Sequence, residues 1–162
     1  MLPVLHAPYP MAQKWRPHNW EYYNFLAINY SEWGKPEKAV KPYKRAARLK
    51  PNHVLYFSLG TTYQKLGRLD EAVDAYRKAL EIQPTFTLAL YTLGSIYYEQ
   101  GNYQAAIESF RKVLQAEPTH VYANQALGMS YVMTGDKTAA MQQYYILKDV
   151  NATFAADLQR AI

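Results

Sequence analysis

Cysteine is absent from all 162 residues of the chain. This absence excludes disulfide bonds, thiolate zinc sites and a cysteine nucleophile, but it does not identify the compartment. Other catalytic and metal-binding patterns are also missing from the sequence. The four histidines are far apart, and neither a phosphate-binding loop nor a nucleophile elbow occurs. We therefore expect a protein that is not an enzyme and that holds no metal ion and no cofactor.

Long apolar runs are missing too. The apolar stretches are short and are interrupted by polar residues, so no segment is expected to span a bilayer. Residues 1–10 contain no basic region followed by a continuous apolar run, so they do not match a secretory signal peptide. These features favour the cytoplasm, and the periplasm stays open if a signal has been trimmed from the chain.

Positive charge is concentrated near the N-terminus. The net charge of the chain is +5. Residues 1–50 contain nine Lys or Arg against three Asp or Glu, a net of +6, whereas residues 51–162 contain nine against ten, a net of −1. The basic character therefore belongs to one part of the surface.

The chain also repeats itself at an interval of 34 residues. A leucine–glycine pair recurs as Leu59–Gly60, Leu93–Gly94 and Leu127–Gly128. Further columns align without a gap, namely Tyr63, Tyr97 and Tyr131; Gly67, Gly101 and Gly135; Ala72, Ala106 and Ala140; and Tyr76, Phe110 and Tyr144. An earlier copy lies 33 residues upstream and carries Tyr30, Gly34, Ala39, Tyr43 and Pro51. Repetition at this interval indicates a stack of similar helical units.

The repeated columns have physical meanings. The apolar residues of each unit recur at helical spacing, and a small residue such as Gly60 lets a second helix approach closely. Gly67 falls between two helical patterns, where it can adopt the left-handed conformation that ends a helix. Pro84 lies just beyond the second pattern, which cannot continue through it. Each unit is therefore predicted to be helix A, a tight turn and helix B.

The pattern Leu-Gly-x-x-Tyr, followed by Gly, Ala, Tyr or Phe, Ala and Pro, resembles the tetratricopeptide repeat (TPR) family. The resemblance implies an all-α fold, a right-handed α-solenoid of about four TPR helix pairs with a C-terminal capping helix. The organisation that we predict is a Pro-rich extended segment at 1–19, four TPR units at 20–52, 53–86, 87–120 and 121–151, and a capping helix at 152–162.

Helix boundaries follow from the same pattern. The predicted helices are 19–33, 36–50, 53–66, 69–82, 87–100, 103–116, 121–134, 137–148 and 152–162. Pro42 falls inside the second of these, where it removes a backbone hydrogen bond, so we expect it to kink or shorten that helix. Asn151 is expected to cap the last helix.

In this family the A helices line a concave surface, so the informative residues are those on A helices that packing does not require. Several of these residues are aromatic or are Met, and a few hydrogen-bonding groups lie between them, which is typical of a site for an apolar or amphipathic segment. The predicted peptide groove comprises Val54, Phe57, Thr61, Gln64, Leu88, Tyr91, Ser95, Tyr98, Tyr122, Gln125, Met129 and Val132. The alternative is that residues 1–18 of the same chain, or a second copy of it, cover these side chains.

A second candidate surface is basic. It comprises Lys35, Lys38, Lys41, Lys44, Arg45, Arg48 and Lys50, with only Glu37 opposing them. Several of these residues are three or four positions apart and therefore share one helix face. They could attract an anionic membrane or an acidic protein, or they could simply be a solvated outer face. Nucleic acid is not an expected partner, because the aromatic–basic pattern of an RNA-binding motif is missing.

Three functions remain open from the sequence. The first is a protein–protein interaction scaffold or adaptor that binds a partner segment in the groove. The second is an assembly factor that docks through its basic first repeat to an anionic membrane or an acidic partner. The third is a TPR protein that associates with itself.

Overall fold

The computed structural model describes residues 18–162, which form nine α-helices and no strand. In chain order these are α1 (Trp20–Glu32), α2 (Pro36–Leu49), α3 (His53–Lys65), α4 (Leu69–Ile82), α5 (Thr87–Glu99), α6 (Tyr103–Ala116), α7 (Val121–Thr134), α8 (Lys137–Val150) and α9 (Ala152–Ala161). The predicted all-α fold of four helix pairs and a C-terminal helix is confirmed. The predicted extended segment 1–19 lies outside the described residues except for its last two positions.

The chain divides into two compact units, Met1–Gln83 and Pro84–Ile162. In the first unit, α1 packs against α2, α2 against α3, and α3 against α4. Its core contains the aromatic residues of the repeat, Tyr43, Tyr63 and Tyr76, together with small alanines. Alanine and glycine at the helix contacts allow these large rings to be buried between closely spaced helices.

The second unit contains α5 to α9. Its helices pack as the pairs α5–α6 and α7–α8, and α6 also packs against α7. Phe110 and Leu127 belong to the cluster that joins α6 to α7. At the C-terminal end, α9 packs on α8 and α7 and buries Leu158 beside Leu147. Asn151 caps α9 by accepting a hydrogen bond from the Phe154 amide at 3.1 Å, as the sequence predicts.

Each A helix ends in the same turn. Gly34, Gly67, Gly101 and Gly135 all have positive φ, between 67° and 78°. In each turn the amide of the residue after the glycine donates a hydrogen bond to a tyrosine carbonyl five positions earlier; for Arg68 and Tyr63 the distance is 3.0 Å. This pairing is the Schellman arrangement, in which a left-handed glycine lets the chain satisfy the last carbonyls of a helix. The glycine column therefore sets the helix ends.

The glycines inside the A helices have a different role. A Cβ added at Gly60 would lie 2.7 Å from the Tyr76 ring, and one added at Gly94 would lie 2.8 Å from the Phe110 ring. Both rings are almost fully buried. The absent side chain is therefore the space that the aromatic residue of helix B occupies.

Of the two effects predicted for Pro42, the shortening of its helix is wrong, and a kink stays a prediction. α2 runs without interruption from Pro36 to Leu49 and has 14 residues, as α4 and α6 do. Pro42 is itself buried, and buried Tyr43 and Ala46 follow it on the same helix. One missing backbone bond costs less than exposing this packed face would, so packing maintains the helix.

Gly94→Ala tests the close approach of α5 and α6. Replacing glycine by alanine in a helix normally stabilises it by up to about 1 kcal/mol. Here the new Cβ would overlap the buried Phe110 ring, and overpacking of this kind costs about 1–3 kcal/mol. We therefore expect a lower Tm and a smaller free energy of unfolding in urea. Combining the change with Phe110→Leu should reduce the penalty; a raised Tm for Gly94→Ala alone would contradict the packing argument.

Tyr76 provides a test of buried hydroxyl groups. Burial raises the pKa of Tyr76 above its ordinary value of 10.0, and burial does the same for Tyr43. A raised pKa in the folded state means that folding favours the protonated form. This contribution to stability is therefore complete below about pH 10 and is lost as the pH rises through the folded-state pKa.

We expect the Tm to fall at alkaline pH and the fall to be smaller for Tyr76→Phe. The Tyr76 hydroxyl donates a hydrogen bond to Gln64 Oε1 at 2.9 Å, so the substitution should cost about 0.5–1.5 kcal/mol at neutral pH. Phe110 occupies the equivalent position in the next repeat, so the ring itself fits without a hydroxyl. The measurement is the Tm of both proteins across the alkaline pH range. If the Tm of Tyr76→Phe falls with pH as steeply as that of the unmodified protein, burial of the Tyr76 hydroxyl is not the cause of the fall.

Candidate protein-binding pocket

A pocket of about 270 Å³ lies in the second unit between α5, α6 and α7. It brings together six of the predicted groove residues: Tyr91, Ser95, Tyr98, Tyr122, Gln125 and Met129. Glu99, Phe110 and Ala126 complete its lining. Residues three and four apart on α5 face the same side of that helix, which places the first three of the six in one row.

The aromatic side chains of the pocket remain accessible. Tyr122 is 59% exposed, and Tyr91, Tyr98 and Met129 are half-buried. The pocket is therefore lined by apolar surface that the packing of the repeats has not removed from water. Such surface is a source of binding free energy when a partner covers it.

Ring contacts hold these aromatic groups in place. Tyr91 stacks on His120 at 5.4 Å between ring centroids and leans on the buried Phe110 ring at 5.7 Å. Tyr122 contacts Phe154 of α9 at 5.6 Å. Aromatic pairs at these separations are mutually stabilising, so the pocket wall is ordered before any partner arrives. Less conformational entropy is then lost on binding.

Tyr98 lies at the end of the row on α5. Its ring meets the edge of Tyr103 at 5.3 Å. Burial raises the pKa of the Tyr98 hydroxyl, and the neighbouring Tyr103 raises it further. The hydroxyl is therefore neutral at physiological pH and can both donate and accept a hydrogen bond.

The polar groups of the pocket are few. The Ser95 hydroxyl donates to the Tyr91 carbonyl at 3.0 Å, so its proton is used within the helix. Gln125 is half-buried, and Glu99 is exposed and adds a carboxylate at the edge. The lining is thus mostly apolar with one negative charge.

The other predicted groove residues lie elsewhere. On α3, Phe57 is half-buried against Tyr76 at 5.4 Å, and Gln64 accepts the Tyr76 hydrogen bond. Thr61 donates its hydroxyl to the Phe57 carbonyl at 3.0 Å. These three residues belong to the first unit, and their use as part of a groove remains a prediction.

Three further predicted residues do not line the pocket. Val54 and Leu88 are exposed at 49% and 57% near the starts of α3 and α5. Val132 packs against the cluster around Leu147 and Leu158. Conversely, the pocket is lined by three residues that were not predicted from the sequence, namely Glu99, Phe110 and Ala126. A signal for Glu99 was available, because it lies four positions after Ser95 on the same helix face.

The predicted basic residues lie on α2 and at its two ends. Lys35, Lys38, Lys41, Lys44, Arg45, Arg48 and Lys50 are all exposed. Among residues 18–162, no group of three or more metal-ligating side chains comes together. No helix in the same range has the length and apolar character to cross a bilayer.

Family comparisons match the repeats directly. Residues 21–53 and 87–120 match models described as "Tetratricopeptide repeat", and residues 60–101 match a model described as "TPR repeat". Together these matches span more than half of the chain. The chain belongs to the tetratricopeptide repeat family, whose members generally serve as scaffolds and not as enzymes.

Solved structures extend the comparison. The chain is 25% identical to MamA over 91% of this chain and 87% of that one, with a TM-score of 0.80. It is 24% identical to a tetratricopeptide repeat protein from Parabacteroides merdae, covering 88% of this chain and 58% of that one, with a TM-score of 0.82. It is 21% identical to YrrB, described as a TPR protein with an unusual peptide-binding site, covering 94% and 80% with a TM-score of 0.79. The last two likenesses show the fold alone. No curated protein matches the sequence.

Proposed function

We propose that this protein is an interaction scaffold or adaptor that binds an apolar or amphipathic segment of a partner protein in the α5–α7 pocket. The observation that carries the proposal is the ordered, accessible aromatic wall formed by Tyr91, Tyr98 and Tyr122. Apolar surface of this kind on a TPR fold supports a protein partner, since exposed aromatic groups are frequent anchors at protein interfaces.

The shape of the pocket supports a peptide ligand, because the pocket is open to solvent and does not enclose a ligand. Sites for drug-sized ligands and cofactors usually bury most of the ligand surface. A pocket of about 270 Å³ with open sides suits one or two side chains of a longer segment. Among the structural relatives, YrrB is described as having a peptide-binding site, which is consistent with a peptide ligand here.

Charge narrows the class of segment. Glu99 stands beside the apolar lining with no cation among the lining residues. A partner segment with a Lys or Arg next to its apolar anchor would gain a favourable Coulomb interaction at this edge. An acidic segment would be repelled there.

Tyr122→Ala tests the pocket. Peptides are first selected from a random displayed library on the intact protein, and their Kd is measured by fluorescence anisotropy. Because Tyr122 is exposed in the absence of a partner, its removal should leave the fold intact and weaken binding by about 1–3 kcal/mol.

Tyr145→Ala is the matched control. Tyr145 is 61% exposed, close to the 59% of Tyr122, but it lies on α8 and outside the pocket lining. We expect the control to bind the selected peptides as the unmodified protein does. Equal losses in the two variants, or no loss in either, would rule out the pocket as the binding site.

Glu99→Gln tests the charge preference separately. Selected peptides that carry a Lys or Arg should bind this variant less tightly, by about 0.2–1 kcal/mol, because the pair is exposed to solvent. Neutral peptides should bind it unchanged. If the selected peptides are predominantly acidic, the proposed preference is wrong although the pocket itself can still be correct.

Self-association is the competing interpretation of the same surface. Light scattering of the full chain and of a chain without residues 1–19 measures it directly. A mass above that of the monomer, reduced by Tyr122→Ala, would mean that the occupant of the pocket is a second copy and not another protein.

A further inference from the structure

One face of α2 carries five cations and a single acidic residue. Its exposed cations are Lys38, Lys41, Lys44, Arg45 and Arg48, which we call the basic stripe. At 3.6 residues per turn the five side chains fall within an arc of about 120°, centred on Lys41 and extending about 15 Å along the axis. Glu37 is the acid on this face.

The repeat supplies an internal comparison for this charge. Positions 33 residues later on α4 are occupied by Glu71 in place of Lys38, Asp74 in place of Lys41, and Glu81 in place of Arg48. The helix is otherwise equivalent, with 14 residues and the same buried Ala and Tyr columns. The fold therefore accepts acids where α2 has cations.

The basic pair shared by the two helices emphasises the difference. Lys44 and Arg45 correspond to Arg77 and Lys78 on α4, so the middle of the outer face is basic in both. On α4 the surrounding acids balance this pair. On α2 the surrounding positions add to it instead.

Three cations of the stripe, Lys38, Lys41 and Arg48, form no salt bridge among residues 18–162, whereas Glu71 at the position matching Lys38 pairs with Arg68. Lys44 differs from them, because it lines the same pocket as Glu71 and Asp74 of α4. Like charges three and four positions apart on a helix repel each other and destabilise it. Repulsion among the cations of the stripe therefore destabilises α2 locally, and an anionic partner would reduce that repulsion.

A tryptophan ring lies near each end of α2, where it contacts a lysine outside the basic stripe. Lys50 Nζ is 4.7 Å from the centroid of the Trp20 ring, and Lys35 Nζ is 5.9 Å from that of Trp33. Trp33 is 40% exposed. Tryptophan is enriched at membrane–water interfaces, where one part of the ring meets acyl chains and its N–H meets water.

We propose that the basic stripe docks the protein on the surface of an anionic lipid bilayer. Lysine predominates when Lys35 and Lys50 are included, and an ammonium group acts as a mobile point charge that needs no fixed geometry. Sites that hold one acidic peptide or phosphate in a set position more often use the planar fork of Arg. A polybasic helix face with a tryptophan near each end of the helix therefore fits a fluid headgroup layer better than it fits a single acidic segment.

The test is vesicle co-sedimentation of the full chain. We expect binding to vesicles of phosphatidylserine and phosphatidylcholine, with little binding to phosphatidylcholine alone. Raising the ionic strength from about 0.1 M to about 1 M shortens the Debye length from about 10 Å to about 3 Å and should release the protein. Equal binding to both kinds of vesicle would overturn the proposal.

The stripe variant combines Lys38→Glu, Lys41→Asp and Arg48→Glu, which are the residues of α4 at the equivalent positions. Since the same fold carries them there, the variant should keep its helical circular dichroism and a cooperative melt. Each Lys or Arg near an anionic surface contributes about fivefold to binding, so removing three should weaken partitioning about a hundredfold or more.

A control variant makes the same change in net charge elsewhere. It combines Lys65→Glu, Lys112→Glu and Lys148→Glu, all of which are exposed and outside α2. We expect it to bind anionic vesicles within a few-fold of the unmodified protein. Equal losses in the two variants would show that net charge alone is responsible and would refute the stripe as a docking face.

A separate experiment with an acidic peptide tests the other class of partner, an acidic protein. A labelled oligoglutamate peptide is titrated against the unmodified protein and the stripe variant in parallel with the vesicles. Binding of the peptide without binding of anionic vesicles would assign the stripe to an acidic protein and overturn the membrane proposal. Binding of vesicles with only weak, salt-sensitive peptide binding is the expected result.

Discussion

The contact between a glycine on helix A and an aromatic ring on helix B determines the rest of this structure. At Gly60 and Gly94 the helix surface leaves a space that the rings of Tyr76 and Phe110 fill, and no Cβ fits beside them. Tyr91 and Tyr98 are three and four positions from Gly94 and therefore lie on the same face of α5, beside the Phe110 ring. Tyr91 contacts that ring at 5.7 Å, and the outer parts of both tyrosines line the pocket next to it.

Helix ends and helix faces were predictable from the sequence to different degrees. The ends depend on local chemistry, since the glycines at the turns adopt positive φ and the tyrosine carbonyls accept the hydrogen bonds that close the A helices. The predicted boundaries therefore agree with the structure to within about two residues. Pro42 is the exception to this local control. By itself proline favours a helix end, but the helix continues because its neighbours are buried. Six of the residues that line the pocket could be predicted by counting helical positions. That Val132 lies outside the pocket and that Phe110 lines it could not be predicted in this way. Both depend on the angles at which α5, α6 and α7 cross, and the spacing of residues along the sequence does not contain those angles.

Equivalent positions in the repeats show which residues are free to specialise. Lys44–Arg45, Arg77–Lys78 and Arg111–Lys112 occupy one exposed column, and Tyr145–Ile146 occupy it on α8. The core columns hardly change across the same units. Burial therefore restricts one set of positions to a few residue types, whereas the outer face can become basic, mixed or apolar at little cost to folding. A difference between equivalent exposed positions is consequently better evidence of a role than the presence of charge alone.

The two candidate surfaces rely on different physical forces and lie in different units. The pocket on α5 and α7 offers apolar area, whose free energy of burial is almost independent of salt. The stripe on α2 offers charge in water, whose effect vanishes when ions screen it. Ionic strength therefore separates them without any mutation: a partner held by Tyr122 and its neighbours stays bound at high salt, while an anionic surface held by Lys41 and its neighbours is released. A protein that binds a peptide segment through apolar contacts and a lipid surface through charge has the elements of an adaptor. The two sites use different residues and different interactions, so both can be occupied at once.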